Sequence, residues 1–366
     1  MRSAVARDSA VVVKVGSSSL TGARGGLDGG RLGAVVDELM SVRRRGNLPI
    51  LVTSGAIAAG FPALGMSARP DSIADLQVAA AVGQSLLMDA YAEAFGSAGV
   101  KVGQVLLTKD VLGNRSQYLN ARAALTRMLE LGIVPVVNEN DTVVVDEVKF
   151  GDNDQLAAIV SHLIGAGMLI ILTDTEGLYT DDPRFASDAQ LVKSVRYSDE
   201  VLDVIRSSST ATDLGRGGVA TKVMAARMAA LSAVPTVIAP ARHAGIAVAA
   251  LDGEDVGTWV APRSETIAAR KLWIGFGLPS AGSVGVDAGA ARALTTKGGS
   301  LLSVGVTAVD GSFERGDAVE ILDERDELIA KGISRMSAED LRDVAGRATA
   351  AGGGEVVHRD DLVVLT

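Results

Sequence analysis

The 366-residue sequence contains no cysteine and only three histidines, His162, His243 and His358. The lack of cysteine excludes disulfide bonds, thiolate catalysis and cysteine-ligated zinc, and so few histidines argue against a histidine-rich metal site. Aromatic residues make up 3% of the chain, although hydrophobic residues make up 48%. The cores must therefore be built from Ala, Val, Leu and Ile, the usual material of buried parallel strands and of the helices that cover them.

The sequence also lacks long apolar runs and an excess of positive charge. No uninterrupted apolar stretch approaches the ~18 residues that a membrane span needs, and the start of the chain holds no apolar segment of a signal peptide. The formal net charge is −9, which argues against a general binder of nucleic-acid phosphates. We therefore expect a cytoplasmic protein that does not act at a membrane.

Short apolar runs alternate with helical patterns through the first two-thirds of the chain. The runs that predict buried strands are Ala10–Val15, Pro49–Thr53, Val102–Leu107, Ile133–Val137, Met168–Thr173 and Thr236–Ala239. Helical spacing of apolar residues predicts helices over Arg31–Arg45, Asp71–Phe95, Tyr118–Leu131, Asn153–Ile164 and Val219–Ser232. Strands that alternate with helices indicate an α/β fold with a mainly parallel sheet sandwiched by helices.

The pattern changes after about Val260, where short strands and tight turns predict a small C-terminal β-rich domain. Val309–Ser312 and Asp323–Asp326 predict hairpin turns, and Ser337–Asp340 predicts a capped helix start. We predict a first domain over residues 1–270, a Gly- and Pro-rich linker over 271–283 and a second domain over 284–366.

Polar motifs follow the predicted strands, at the strand ends where parallel sheets bind their ligands. Lys14, Gly16 and Ser17 follow the first strand, so a cation and backbone N–H groups can surround a phosphate there. Taken alone, the motif fits a solvated lysine beside a turn equally well. Ser54 follows the second strand, where its hydroxyl can bind an anionic substrate or cap the next helix.

The densest polar region lies between the strand Ile133–Val137 and the helix that follows it. Asn138–Asp141 comes directly after the strand, and Gly151–Asp154 opens the helix. Carboxylates and amides at this density can hold the amino group and the carboxylate of one small substrate. Helix capping by Asp152 or Asn153 would explain one residue, but not two polar clusters.

A Gly-rich turn, Gly215–Lys222, leads into the helix Val219–Ser232. Such a turn, with a lysine in the first turn of the helix, suits a nucleotide phosphate. The spacing also matches a dinucleotide-binding fingerprint, but no strand precedes the turn, so we reject that interpretation. Thr173 and Asp174 form a further polar pair at the end of the strand Met168–Thr173.

Taken together, these motifs resemble those of the amino-acid kinase superfamily, and within it the glutamate 5-kinase family. The resemblance is carried by Val13–Ser17, Val52–Gly60, Val136–Asp141, Gly151–Asp154, Leu172–Asp174 and Gly177–Thr180. The C-terminal region resembles the PUA domain that many members append. The resemblance implies an amino-acid kinase-like fold and transfer of the γ-phosphoryl group of ATP to the γ-carboxylate of L-glutamate, the first step of proline biosynthesis.

The resemblance also implies a role for each matching residue. Lys14 and Lys222 would bind the phosphoryl group from two sides, and Asp154 would orient both lysines. The residues that would hold glutamate are Ser54, Asp141, Asp152 and Asn153. The residues that would hold ATP are Lys14, Gly16, Ser17, Thr173, Asp174, Gly217, Gly218, Val219, Ala220, Thr221 and Lys222. The sequence departs from the family pattern at Arg216, where a small hydroxyl residue or Gly is usual, and at Val219, where Met is usual.

Mg²⁺ is the ion that the resemblance implies together with ATP, and no protein ligand for it is predicted. Feedback inhibition by proline and a homo-oligomer, either a dimer or a tetramer, are further implications. A glutamate side chain of pKa ~4.3 is already ionised at neutral pH. The acceptor therefore needs no general base, which suits a set of motifs without histidine.

Two other interpretations stay open. Another superfamily member would act on aspartate, acetylglutamate, carbamate or UMP, but the two polar clusters and the appended β-rich domain disfavour this. An RNA-binding protein would act through the PUA-like domain. Residues 271–366 carry 10 Lys and Arg against 15 Asp and Glu, so electrostatics disfavour RNA contact.

Overall fold

The structure, a computed structural model, describes residues 2–22, 25–143, 153–202, 205, 218–348, 350 and 352–365. The chain forms two compact units. The first comprises Met1–Val111 and Ser116–Thr266, and the second comprises Leu112–Arg115 and Ile267–Thr366. Residues 271–283, predicted as a linker, fall within the second unit and include a π-helical turn over Trp273–Gly277.

An eight-stranded sheet forms the centre of the first unit. Its strands are β1 (Ala10–Val15), β2 (Leu48–Val52), β3 (Val102–Leu107), β4 (Val134–Glu139), β5 (Met168–Thr173), β6 (Ser194–Arg196), β7 (Thr236–Pro240) and β8 (Thr258–Ala261). They lie in the order β3-β4-β2-β1-β5-β7-β8-β6, and among the described strands β7 and β8 form the one antiparallel pair of this sheet. The central strands are buried Val, Ile and Leu on both faces, as a sheet covered by helices on both sides requires.

The helices of the first unit follow these strands. They are α1 (Gly29–Arg44), α2 (Ala56–Ala63), α3 (Ile73–Ser97), α4 (Arg115–Glu130), α5 (Asp154–Ile164), α6 (Val219–Leu231) and α7 (Ile246–Leu251). Side-chain caps begin two of them, since Asp28 accepts from the Arg31 N–H and Ser72 from the Asp75 N–H. Helices α5 and α6 are almost entirely buried and pack against each other.

Helices α2 and α3 cross at two glycines. A Cβ atom on Gly60 would lie 1.9 Å from the Ala79 carbonyl oxygen, and one on Gly83 would lie 1.8 Å from the Ala56 carbonyl oxygen. Only glycine lets two helix backbones approach so closely. The crossing therefore fixes the position of α2, and with it the residues that begin α2, against the long helix α3.

The second unit has its own sheet and its own core. Its strands are β9 (Gly282–Val286), β10 (Leu301–Leu302), β11 (Val306–Gly311), β12 (Ala318–Leu322), β13 (Leu328–Ser334) and β14 (Glu355–Val364), in the order β10-β14-β13-β12-β9-β11. Its helices are α8 (Ala269–Leu272), α9 (Ala288–Lys297) and α10 (Ala338–Val344). The core includes Val284, Ile321, Leu341 and Val356.

These observations confirm the predicted fold class: a mainly parallel sheet with helices, followed by a small β-rich unit. One turn prediction is wrong. Val309, Asp310 and Gly311 pair with β9 instead of turning, because this ladder takes up the segment in which a turn signal occurs. The predicted turn Asp323–Asp326 is confirmed, with the Asp326 N–H donating to the Asp323 carbonyl oxygen. In the part of the chain that the structure describes, no helix has the length and apolarity to cross a membrane.

Candidate active site

The carboxyl ends of four adjacent strands meet at one place in the first unit. Strands β4, β2, β1 and β5 are neighbours, and Lys14 at the end of β1 lies opposite Val52 of β2 and Ile171 of β5. From β1, the sheet extends through β2 on one side and through β5 on the other. Parallel sheets bind ligands where the strand order changes direction in this way, and a cavity of about 300 Å³ opens there.

The cavity brings together most of the predicted site residues. Those that line it are Lys14, Gly16, Ser17, Ser54, Asp141, Asn153, Thr173, Asp174 and Lys222. Asp154 is fully buried and contacts both lysines. Gly218, Val219, Ala220 and Thr221 form the start of α6 and are not among the residues that line the cavity. Asp152 and Gly217, like Arg216, lie outside the described residues.

Two lysines from separate elements converge on one carboxylate. Lys14 Nζ lies 2.5 Å from Asp154 Oδ1, and Lys222 Nζ lies 3.4 Å from Asp154 Oδ2. Both lysines are less than one-tenth exposed. Asp154 is the first residue of α5, where the helix N-terminus further stabilises a negative charge. The three groups together carry an excess of one positive charge, which suits an anionic ligand in the cavity.

The start of α6 is fixed to the same carboxylate. The Thr221 hydroxyl lies 3.0 Å from Asp154 Oδ2 and 2.8 Å from the Gly218 carbonyl oxygen. Because a hydroxyl has one proton, it donates to one of these oxygens at a time. Through Thr221 and Lys222, Asp154 therefore sets the position of the first turn of α6 relative to β1.

Asn153 makes two hydrogen bonds to strand ends. Its Nδ2 donates to the Thr53 carbonyl oxygen at 2.5 Å and to Asn138 Oδ1 at 2.6 Å. Although Asn153 is the residue before α5, its side chain makes no capping hydrogen bond. The interpretation of Asn153 as a side-chain helix cap is therefore wrong, because its amide joins the ends of β2 and β4.

Ser54 does not cap a helix either. Gly55 is the residue before α2, with φ at +105° and no side-chain cap. This left-handed conformation strains any residue except glycine. Ser54 is 5% exposed, and among the described residues its Oγ has no hydrogen-bond partner. A buried hydroxyl without a partner is costly, so its position in the cavity wall suits contact with a ligand.

A buried tyrosine supports the end of β2 from α3. Tyr91 has no exposed surface, and its hydroxyl lies 2.8 Å from Thr53 Oγ1. Burial raises the pKa of the Tyr91 phenol above its ordinary value, although the hydrogen bond with Thr53 acts in the opposite direction. The phenol is therefore neutral at physiological pH and acts as a fixed hydrogen-bonding group.

The rest of the cavity wall combines charged and apolar side chains. Ser18 donates to Asp174 Oδ1 at 3.1 Å, which joins the loop after β1 to the end of β5. Ile57, Ala58 and Phe61 of α2 form an apolar side. Arg69, in the loop between α2 and α3, is exposed and is the third cationic residue that lines the cavity.

Sequence reasoning missed several of these residues. Arg69 lies in a polar loop, and nothing in its sequence context points to a cavity. Asn138 and Thr53 lie within recognised motifs, but no role was predicted for either. Gln84 of α3 does not line the cavity, but it accepts a hydrogen bond from Asn138 at the end of β4. It had one detectable signal, because it is a polar residue in step with the buried apolar positions of α3, which are Leu76, Ala80, Leu87 and Tyr91.

Comparisons with known proteins identify the family of the chain. The family model described as "Amino acid kinase family" matches residues 9–240, and the one described as "PUA domain" matches residues 282–351. A glutamate 5-kinase of Pelobacter propionicus is 44% identical over 97% of both chains. A glutamate 5-kinase of Frankia casuarinae is 46% identical over 97% of this chain and 96% of its own.

A third relative aligns with this protein over the full length of both sequences. It is a glutamate 5-kinase of Marinomonas, 43% identical over 100% of each chain. A solved structure of UMP kinase from Bacillus anthracis covers 71% of this chain and 98% of its own, with 14% identity and a TM-score of 0.49. The family matches and the full-length identities above 40% lead to one conclusion: the chain belongs to the amino acid kinase family, among the glutamate 5-kinases, and carries a C-terminal PUA domain.

Proposed function

We propose that this protein transfers the γ-phosphoryl group of ATP to the γ-carboxylate of L-glutamate, giving γ-glutamyl 5-phosphate and ADP as the first step of proline biosynthesis. The observation that carries the proposal is the convergence of Lys14 and Lys222 on the buried Asp154 at the edge of the cavity. The relatives of nearly full length that are named glutamate 5-kinases support glutamate as the acceptor.

The two lysines would act on charge in the transition state. Phosphoryl transfer requires positioning and charge neutralisation more than covalent chemistry by the protein. Lys14 would approach the transferred group from β1 and Lys222 from α6, while Asp154 would keep both amines in place. Because the glutamate carboxylate is already ionised at neutral pH, attack on phosphorus needs no proton acceptor.

The nucleotide would bind along the ends of β1 and β5, where Gly16, Ser17, Thr173 and Asp174 line the cavity. The start of α6, which Gly218 directly precedes, would contribute from outside the cavity lining. The N-terminus of this 13-residue helix presents backbone N–H groups to an anion. Mg²⁺ would enter with ATP as part of the nucleotide substrate, since this ion is held largely by phosphate oxygens and water.

The acceptor side would match the three charged groups of glutamate. Ser54 Oγ would contact the γ-carboxylate, and Asp141 and Asn153 would receive the α-ammonium group. Arg69 would attract the α-carboxylate, because it is the cationic residue of the cavity lining other than Lys14 and Lys222, which would act on the phosphoryl group. Inhibition by proline and homo-oligomer formation stay predictions from the family resemblance. A cytoplasmic location and the assignment of catalysis to residues 1–270 stay predictions from the sequence pattern.

The test is an assay of ADP release and of acyl phosphate trapping by hydroxylamine. We expect both ADP and γ-glutamyl hydroxamate to depend on L-glutamate and Mg²⁺, with aspartate and UMP inactive as acceptors. Lys14→Ala should lower turnover about 10²–10³-fold, whereas the exposed Lys101→Ala serves as the matched control. Turnover without glutamate, or a preference for UMP, would refute the proposal.

A further inference from the structure

Gln84 is a polar residue on the buried face of α3. It lies one helical turn after Ala80 and one before Leu87, both of which are buried, and it is itself 9% exposed. Helix periodicity predicts an apolar residue at this position. The hydrogen-bond partners of the Gln84 side chain therefore indicate why a glutamine lies there.

The partners of Gln84 lead to the candidate acceptor site. Gln84 Oε1 accepts from Asn138 Nδ2 at 2.7 Å. Asn138 Oδ1 in turn accepts from the Glu139 N–H at 2.9 Å and from Asn153 Nδ2 at 2.6 Å. A continuous chain of hydrogen bonds thus runs from the middle of α3, through the end of β4, to a residue that lines the cavity.

Two backbone groups determine where the oxygen and the nitrogen of each side-chain amide lie in this series of hydrogen bonds. The Glu139 N–H can only donate, so it requires the Asn138 oxygen. The Thr53 carbonyl can only accept, so it requires the Asn153 nitrogen. Both Nδ2 hydrogens of Asn153 are therefore used in hydrogen bonds to the protein. Only the Oδ1 atom of Asn153 can accept a hydrogen bond from a ligand in the cavity. An acceptor at this place suits an ammonium group and not a carboxylate.

The buried amide nitrogen of Gln84 lowers the stability of the folded protein. Within the part of the chain that the structure describes, no atom accepts a hydrogen bond from Gln84 Nε2, although this nitrogen is buried. An apolar side chain would avoid that cost, but it would leave Asn138 Nδ2 without the acceptor it now has. The glutamine is therefore explained by its bond to Asn138 and not by packing.

We propose that Gln84 is a positioning residue for acceptor recognition: it holds Asn138, and through Asn138 it holds Asn153 with Oδ1 facing the α-ammonium group of the substrate. This inference rests on the proposed function, because the ammonium group belongs to glutamate. It adds a residue that does not line the cavity and that acts through two intervening side chains.

The experiment compares two acceptors in the full-length protein. Glutarate has the carboxylate that receives the phosphoryl group but lacks the ammonium group of glutamate. Gln84→Leu should raise the KM for glutamate about tenfold, the effect of about one lost hydrogen bond. The turnover number and the KM for ATP should stay within about twofold, and the preference for glutamate over glutarate in kcat/KM should fall about tenfold.

Two further variants separate positioning from a general structural effect. Gln84→Glu should restore the preference, because a carboxylate oxygen accepts from Asn138 Nδ2 as the amide oxygen does. Gln104→Leu makes the same substitution at an exposed glutamine of the first unit and should leave both acceptors unaffected. If Gln84→Leu does not fold, Gln84→Asn tests the same bond, because its side chain is one methylene too short to keep it.

The possible results separate this inference from the proposed function. Wild-type turnover that does not depend on glutamate would refute both. Glutamate-dependent wild-type turnover with an unchanged preference in Gln84→Leu would refute the role of Gln84 alone. An equal rise in the KM for ATP and for glutamate, or a Glu variant as defective as the Leu variant, would also refute it, because a general structural defect would then explain the loss.

Discussion

The close crossing of α2 and α3 predicts opposite effects for one substitution at two glycines of the same helix. Gly83 lies at the crossing, and Gly96 lies near the exposed end of α3. An alanine Cβ at Gly83 would lie 1.8 Å from the Ala56 carbonyl oxygen and 2.6 Å from the Gly60 nitrogen, whereas one at Gly96 would have no neighbour within 4 Å.

The magnitude follows from these distances. Real Cβ contacts are essentially never shorter than 3.0 Å, so Gly83→Ala must separate two backbones that cannot relieve the clash by changing a rotamer. Overpacking of this kind lowers the free energy of unfolding by about 1–3 kcal/mol or more. The better helix propensity of alanine raises it by about 1 kcal/mol. The clash is with backbone atoms, so we expect a net loss of about 2 kcal/mol. Gly96→Ala should instead stabilise the protein by up to about 1 kcal/mol.

Thermal unfolding followed by circular dichroism measures both changes. A loss of about 2 kcal/mol lowers the Tm of a unit of this size by roughly 4–8 °C. Gly83→Ala should also raise the KM for glutamate, because Ala56 and Ile57 at the start of α2 line the cavity. A Gly83→Ala protein as stable as the wild type would refute the reasoning, since the helices would then not be held at the described distance.

Three further predictions concern charge. Asp154→Asn should lower glutamate-dependent turnover at least ~100-fold, because both lysines lose their shared counter-ion; near-normal hydroxamate formation would contradict this. Arg69→Gln should reduce the preference for glutamate over 4-aminobutyrate, which lacks the α-carboxylate, by about 10–100-fold in kcat/KM, and an unchanged preference would exclude Arg69 from acceptor binding. Burial, with a smaller contribution from Arg122, lowers the pKa of His162 from 6.5 to about 4, so the unfolded chain takes up a proton at a higher pH than the folded protein. The stability contributed by neutral His162 is complete above pH 6.5 and is lost as the pH falls towards 4, by about 1.4 kcal/mol per pH unit. Urea unfolding at pH 7 and pH 5 should show a smaller difference for His162→Gln than for the wild type, and equal differences would contradict the assignment.

The sequence by itself determined six strands and five helices of the first unit in their order along the chain, and the position of most polar motifs after a strand. It did not predict the strands β6 and β8 or the helices α2 and α7. The predicted features depend on local information: apolar periodicity distinguishes buried strands from helices, and in a parallel sheet the motifs after successive strands must lie at the same edge. Lys14, Ser54, Asn153 and Thr173 could therefore be assigned to one site without coordinates.

Only the tertiary structure decided which partner each of these side chains has. Asn153 donates to the carbonyl of Thr53, 100 positions earlier in the chain, and Asn138 donates to Gln84, 54 positions earlier. Local sequence contains no signal for such pairings, and helix capping, the local alternative for Ser54 and Asn153, proved wrong at both positions. Burial of the apolar face of α3 fixes this helix beside the ends of β2 and β4. Gln84 and Tyr91 therefore lie next to these strand ends, where they hydrogen-bond to Asn138 and Thr53.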